Sequence, residues 1–304
     1  MKAVYKLIGG AAAAGTVFCA EFYRYVFCRH QPKLLRLFMD GRGHGQDYYD
    51  KRDRERDKLI LAQHDEFSIC SERGERLTGY YYYCAGYKPC GRIAFIVHGY
   101  RSNAMETAGM FREYYKSRGF DLFCCDNTAH GKSEGELIGY DVFESADCQK
   151  WLSYLESRFG KDIQVILHGF SMGGATVASM SDRVPDCVKF IVDDCGYTSV
   201  SDILKPRLGV MYGVMRMINR LVAGYELSDT DARGHISHAK VPVLFAHGRE
   251  DRTVPFAMGE ELYSLCSSDK DALFVDCARH MECIYRKPEE YAEKLDAFIE
   301  RYIK

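Results

Sequence analysis

The sequence lacks a long apolar run of the kind that crosses a membrane. The N-terminal run from Leu7 to Ala20 has 14 residues, whereas a spanning helix needs about 20. Lys2 and Lys6 precede this run as in a signal peptide, but no good small-x-small cleavage site follows it. The sequence therefore predicts an N-terminal helix that packs on the domain of a cytoplasmic protein. The alternative is a membrane anchor through residues 4–27, with membrane association at that end.

Cysteines at metal-ligand spacing are also lacking. The chain has 13 cysteines, but none of them form a Cys-x-x-Cys pair, which argues against a zinc or redox motif. Many lie inside apolar runs, as small buried hydrophobic residues do, and this suits a reducing compartment. The sequence shows no phosphate-binding loop and no cluster of metal ligands. It predicts neither a cofactor nor a bound metal.

Charge of one sign is not in excess. Lys and Arg number 41, Asp and Glu number 43, and the formal net charge is −2. Because no basic stripe with interleaved aromatic residues occurs either, nucleic acid is not an expected partner. The length of 304 residues suits one large domain or two small ones. No internal repeat or low-complexity linker divides the chain.

What the sequence does contain is an alternation of strands and helices. A hairpin is predicted first, and apolar strands then alternate with amphipathic helices. The strands are Phe67–Cys70, Leu77–Tyr83, Ile93–Val97, Asp121–Cys125, Ile163–Leu167, Val188–Val192, Val241–Ala246 and Ala272–Val275. The helices are Ala104–Arg118, Val142–Phe159, Met172–Arg183, Phe256–Cys266 and Pro288–Ile303. This pattern predicts the α/β class, with a mostly parallel eight-stranded sheet covered on both faces. We expect a helical segment at 1–60 and the α/β domain at 61–304.

One interval, at about 195–240, interrupts the alternation. It holds no strand, and its apolar residues recur at helical spacing. Such an insertion would lie over the carboxyl ends of the strands, where open α/β sheets bind ligands. We predict a small helical lid, and the alternative is an ordinary crossover with an extra helix. If the lid faces the site, it gives the substrate pocket an apolar wall of Tyr197, Met211, Tyr212 and Met215.

A candidate nucleophile follows one of the apolar strands. The segment Val165–Leu167 leads into the pentad Gly169–Phe170–Ser171–Met172–Gly173, and a helix-compatible stretch comes next. A sharp strand-to-helix turn exposes a serine hydroxyl, and it needs glycine where the chain crosses itself closely. The helix N-terminus beside the serine also favours developing negative charge. This pattern predicts Ser171 as a nucleophile.

An acid and a base are expected at the ends of later strands. Asp251 lies in the polar turn after one strand, and His280 follows the last strand. In the predicted mechanism, His280 removes the proton of Ser171, while Asp251 fixes the tautomer of the ring. Other candidates for the acid are Asp193, Asp194 and Asp276, which lie at or near strand ends; Asp251 is preferred because its turn is polar.

Two backbone N–H groups are predicted to stabilise the oxyanion. One belongs to Met172, which directly follows the nucleophile. The other belongs to Tyr100, because the preceding glycine lets the backbone approach the substrate.

These segments resemble those of the α/β-hydrolases, in particular the bacterial serine esterase and peptidase-like branch. The resemblance covers roughly residues 65–304, and its motifs are His98–Gly99, Asp126 with His130–Ser133, the pentad 169–173, His247–Gly248 with Asp251 and Val254–Pro255, and His280. It departs from the family pattern at Thr128–Ala129 and Ala278–Arg279. From the predicted triad we expect a serine hydrolase that cleaves small-molecule carboxylic esters through an acyl-enzyme. The alternatives are a peptidase or amidase of the acylaminoacyl-peptidase type and a catalytically silent binding protein.

Overall fold

The computed structural model describes residues 2–35 and 45–304, with side chains from residue 15 onward. Its strands form one eight-stranded sheet in the order β1-β2-β4-β3-β5-β6-β7-β8. β2 pairs antiparallel with β1 and β4, and all other pairs are parallel. The strands are β1 Asp65–Cys70, β2 Arg76–Tyr82, β3 Arg92–Val97, β4 Asp121–Asp126, β5 Gln164–Phe170, β6 Val188–Asp194, β7 Val243–Gly248 and β8 Lys270–Val275. The predicted mostly parallel sheet is confirmed.

Helices precede the sheet and connect its strands. They are α1 Lys2–Phe27, α2 Gln46–Leu61, α3 Ala104–Gly109, α4 Arg112–Ser117, α5 Val142–Phe159, α6 Met172–Ala178, α7 Val200–Leu208, α8 Met211–Val222, α9 Ala232–Ile236, α10 Phe256–Leu265, α11 Cys283–Arg286 and α12 Pro288–Tyr302, with a 3₁₀ turn at Leu227–Thr230.

The prediction of a single helix over Ala104–Arg118 is wrong, because the chain forms two helices there, α3 and α4. Gly109 ends α3 against the backbone of α2, so closely that an added Cβ would lie 2.8 Å from the carbonyl carbon of Glu55. The chain then tightens into a turn, in which the N–H of Phe111 donates to the carbonyl of Ala108.

The core lies on both faces of the sheet. Neighbouring residues of β3 belong to different clusters, with Phe95 packed near Trp151 on one face and Ile96 in the cluster of Phe111 on the other. Successive side chains of a strand point to opposite faces, so a strand that is buried on both faces is apolar throughout.

A third cluster joins α1 to the helices between β6 and β7. The hydroxyl of Tyr23 donates to Oδ1 of Asn219 on α8 at 3.2 Å. Just after α1, Cys28 forms a β-bridge with Leu137. The second half of α1 therefore packs on the α/β domain. Within the described ranges, none of the helices combines the length and apolar character needed to cross a membrane. The side chains of residues 4–14 of the alternative anchor lie outside the described residues.

Candidate active site

Ser171 lies on the sharp turn between β5 and α6. Its backbone has φ 55° and ψ −113°, a region that non-glycine residues rarely adopt and that is common at functional sites. A Cβ on Gly169 would lie 2.1 Å from the carbonyl oxygen of Gly173, and one on Gly173 would lie 2.1 Å from that of Val97. Both glycines are therefore required for the turn, which holds the serine at the carboxyl edge of the sheet.

The structure brings Ser171, His280 and Asp251 into one hydrogen-bonded chain. The Nε2 atom of His280 lies 2.8 Å from Oγ of Ser171, and its Nδ1 atom lies 2.7 Å from Oδ2 of Asp251. If Nδ1 carries the proton and donates to the carboxylate, Nε2 is left to accept the proton of the serine. This arrangement can activate the hydroxyl as a nucleophile.

The surroundings of Asp251 keep its carboxylate ionised. Its Oδ1 atom accepts hydrogen bonds from the N–H groups of Thr253 and Val254, each at 2.8 Å. Burial raises the pKa of Asp251, but its contacts with His247 and His280 lower the pKa more, so that it falls well below its ordinary value. A charged Asp251 at neutral pH suits the stabilisation of an imidazolium on His280.

A second imidazole, for which no role was predicted from the sequence, lies close to the same carboxylate oxygen of Asp251 as His280 does. Nε2 of His247 is 3.5 Å from Oδ2 of Asp251 and 3.0 Å from the carbonyl oxygen of Val254. Burial lowers the pKa of His247, but Asp251 outweighs this effect, and the net pKa is raised. His247 precedes the acid by one short turn, and this spacing is the signal that could have identified it.

The other acids considered from the sequence have different partners. Asp193 accepts from the N–H of Gly196 at 2.8 Å, and Asp194 accepts from the hydroxyl of Tyr291 at 2.9 Å. Asp276 is exposed and forms an ion pair with Arg249 at 3.0 Å. Asp251, rather than any of these three acids, is therefore the acid that contacts His280.

The two predicted oxyanion donors flank Ser171. Met172 is the first residue of α6, so its N–H is one of those that a helix leaves without an intrahelical partner. Tyr100 lies in the loop after β3, next to Gly99, where an added Cβ would be 3.2 Å from Cβ of Ser171. The loop turns sharply at Arg101, which has φ 57° and whose N–H donates to Nε2 of His130 at 3.1 Å.

An apolar cavity of about 350 Å³ opens beside Ser171. Its walls come from α1, the loop after β3, α7, and the segments around Tyr140 and Val254. They are formed by Phe22, Tyr25, Val26, Tyr100, Arg101, Tyr140, Tyr197, Ile203, Leu204, Arg207, Leu208, Thr253 and Val254. We refer to this space as the apolar cavity.

Only part of the predicted pocket wall lies at this cavity. Tyr197 lines it, whereas Met211, Tyr212 and Met215 do not. Met215 is fully buried in the cluster that joins α8 to α1, and the hydroxyl of Tyr212 donates to Oγ of Ser201 at 2.8 Å. The reason is that α7, not α8, presents its residues to the site.

The contribution of α1 to the cavity was missed from the sequence. Phe22, Tyr25 and Val26 all line it, although they lie in the segment that was assigned outside the domain. The feature of the sequence that could have identified them is the spacing of aromatic and apolar residues just after the N-terminal run, which is typical of a packed helix face.

Two further clefts meet the apolar cavity at the mouth of the site. The aromatic cleft, of about 310 Å³, includes Ser171 and His280 together with Tyr48, Tyr49, Arg52 and Glu106. The arginine cleft, of about 270 Å³, is lined by Glu250, Arg252, Thr253, Arg279 and His280. Thr253 lines all three spaces, and Ser171 lines the apolar cavity and the aromatic cleft, so the three spaces are neighbours at the site.

Among the residues that the structure describes, two groups of side chains have the composition of a metal site. Sγ of Cys195 lies within 4.8 Å of ligand atoms of Asp251 and His280, but those atoms already form the hydrogen bonds of the triad. Cys84 and Cys90 lie at a similar distance from Asp121. The carboxylate of Asp121 accepts from the N–H groups of both cysteines and from the hydroxyl of Tyr81, a contact set that folds the loop between β2 and β3.

Comparisons with known proteins agree with this architecture. A family model described as serine aminopeptidase, S33, matches residues 88–222. The uncharacterized protein YqkD of Bacillus subtilis (strain 168) is 22% identical over 67% of this chain and 70% of its own length. The uncharacterized protein YfhR of Escherichia coli (strain K12) is 24% identical over 78% of this chain and 80% of its own. The esterase Pf2001 of Pyrococcus furiosus superposes with a TM-score of 0.64 at 20% identity, covering 81% of this chain and 96% of that one.

Proposed function

We propose that this chain, which has the α/β-hydrolase fold, is a serine hydrolase that cleaves carboxylic esters with an apolar acyl group. The observation that carries the proposal is the hydrogen-bonded chain from Ser171 through His280 to Asp251, which opens into the apolar cavity. The fold alone would not define an activity. The triad and the cavity supply the reaction and the acyl site.

The reaction follows from these contacts in two halves. His280 takes the proton of Ser171 as Oγ attacks the ester carbonyl, and the oxyanion faces the N–H groups of Met172 and Tyr100. The intermediate collapses to an acyl-enzyme when His280 returns the proton to the leaving alcohol. A water molecule then attacks the carbonyl of the acyl-enzyme with His280 as base. This step releases the carboxylic acid and restores Ser171.

The apolar cavity favours an ester over an aminopeptidase substrate. A free α-amino group beside the scissile bond is a cation and is bound best by a carboxylate. Within the described residues, no Asp or Glu side chain lines the apolar cavity. Apart from Ser171, Thr253 and two arginines, its walls offer aromatic and aliphatic surface, which binds an uncharged acyl chain through burial.

Labelling with a fluorophosphonate probe tests the nucleophile. We expect the wild-type protein to label and to hydrolyse 4-nitrophenyl esters, with a maximum at one acyl length. Ser171→Ala should lose the label and at least about 10³-fold in kcat. Ser153→Ala is the matched control, because that serine is exposed on α5. A wild-type protein that neither labels nor hydrolyses any ester of the series would refute the proposal.

A further inference from the structure

The mouth of the site is cationic although the chain is not. The three neighbouring spaces at the site are lined by five arginines and two glutamates of the described residues, namely Arg52, Arg101, Arg207, Arg252, Arg279, Glu106 and Glu250. The formal net charge of the whole chain is −2. Positive charge is therefore concentrated where a substrate enters, which attracts and orients anions.

The two halves of an ester must lie on different sides of Ser171. In the first half of the reaction His280 passes its proton to the leaving oxygen, so the alcohol part lies next to His280. The apolar cavity is lined by Ser171 but not by His280, whereas His280 lines both the aromatic cleft and the arginine cleft. The acyl chain therefore fits the apolar cavity, and the alcohol part extends past His280 toward these two clefts.

Two arginines of that cleft are available to a ligand. Arg252 and Arg279 are exposed, and neither guanidinium forms an ion pair with a carboxylate of the described residues. By contrast, two other arginines of this region form ion pairs, Arg249 with Asp276 and Arg286 with Glu282, each at 3.0 Å. Two guanidinium groups thus share a cleft with His280, and Glu250 is the one acid among the described residues that line it.

We propose that the natural substrates are esters whose alcohol part carries an anionic group, a carboxylate or a phosphate, bound by Arg252 and Arg279. A guanidinium presents paired N–H donors that match the oxygens of either anion. The proposal builds on the ester hydrolase function and adds the chemical class of the leaving group. The two arginines select the substrate, while Ser171 and His280 carry out the reaction.

The test compares two substrates with the same acyl chain and chromophore, 4-nitrophenyl hexanoate and 3-carboxy-4-nitrophenyl hexanoate. We expect the wild-type protein to favour the carboxylated ester in kcat/KM by about 3- to 20-fold, the range of two solvent-exposed charge contacts. In the double variant Arg252→Gln/Arg279→Gln this ratio should fall to about one. Added salt should reduce the wild-type ratio as well, because it screens exposed charges.

The matched control is Arg158→Gln, since Arg158 is an exposed arginine at the end of α5, outside all three spaces. It should keep the wild-type ratio. A second pair of substrates, 1-hexanoylglycerol 3-phosphate and 1-hexanoylglycerol, shows whether a phosphate is favoured more strongly than the carboxylate. A ratio near one in the wild-type protein for both pairs, or an unchanged ratio in the double variant, would overturn the inference.

This result is separable from the test of the proposed function. Fluorophosphonate labelling and turnover of the neutral ester report on Ser171 alone. If both occur without a preference for the anionic esters, only the leaving-group inference fails. If neither occurs, the hydrolase function fails and the inference fails with it.

Discussion

The hydroxyl of Tyr100 donates a 2.6 Å hydrogen bond to the backbone carbonyl of Val26, in the last turn of α1. Tyr140 donates to the same carbonyl at 2.7 Å, and the guanidinium of Arg101 donates to the carbonyl of Tyr25. The last carbonyls of a helix have no intrahelical partner, so α1 offers acceptors there. The loop that carries a proposed oxyanion donor is thus held by the first helix of the chain.

Replacing Tyr100 with Phe tests this link. The substitution removes the hydroxyl but leaves the proposed N–H donor, so we expect kcat to fall about 3- to 10-fold with little change in KM, from the loss of one hydrogen bond of about 1 kcal/mol. Steady-state kinetics with a 4-nitrophenyl ester measures both kcat and KM. Tyr87→Phe, at an exposed tyrosine, is the control. An effect confined to KM would contradict the positioning role.

Gly99→Ala should impair the reaction more than it impairs folding. The new Cβ would lie 3.1 Å from the carbonyl oxygen of Phe170 and 3.2 Å from Cβ of Ser171, so the loop after β3 must move away by a few tenths of an ångström. We expect kcat/KM to fall about 10- to 100-fold, since small misplacements of catalytic groups are costly. Thermal melting should show a retained fold.

Gly213→Ala is the control for Gly99→Ala, because a Cβ at Gly213 meets no atom within 4 Å. Equal kinetic effects of the two substitutions would show that contact with Ser171 is not the cause.

Ile203→Trp should shorten the accepted acyl chain. Ile203 lies on α7 and lines the apolar cavity, so a larger side chain fills space that the chain end would occupy. We expect kcat/KM for a decanoate ester to fall about 10-fold or more relative to the acetate ester. Val210→Trp is the control, because Val210 is 94% exposed between α7 and α8. A parallel fall for both esters would contradict an acyl site here.

Asp194→Asn should stabilise the protein at high pH. Burial raises the pKa of Asp194 to about 7, in spite of the hydrogen bond from Tyr291. Between about pH 4, the unfolded value, and pH 7 the folded state binds the extra proton, so stability falls as the pH rises. We expect the variant to melt about 2–8 °C higher at pH 8, with a much smaller difference at pH 5.

The exposed Asp162→Asn is the control for Asp194→Asn and should show no such pH dependence. A stabilisation by Asp194→Asn that is equal at both pH values would show that the charge of the carboxyl is not its cause.

Much of the sheet and the position of the candidate site could be predicted because their signals are local. Each strand of the parallel sheet contains a run of three or more apolar residues, Ser171 directly follows β5, and Asp251 and His280 come within five residues of the ends of β7 and β8. The carboxyl ends of parallel strands meet at one edge. Residues far apart in sequence are therefore brought together without any knowledge of how the helices pack.

The cavity wall could not be predicted in the same way, because its signals are not local. The apolar spacing of α8 indicates that one face is buried, but it does not indicate the partner, which is α1 in the case of Met215. The end of α1 is held at the site by hydrogen bonds that Val26 accepts from Tyr100 and Tyr140, which lie 74 and 114 residues away along the chain. The break at Gly109 likewise depends on the backbone of Glu55.

The placement of α1 also puts the candidate catalytic residues and part of the cavity wall on separate elements of this protein. Ser171, Asp251 and His280 lie at the sheet edge, where hydrogen bonds join them. The cavity wall supplied by Phe22, Tyr25 and Val26 comes from a helix outside the sheet. In the proposed hydrolase, substitutions in that helix would therefore change the acyl site without changing the residues that carry out the reaction.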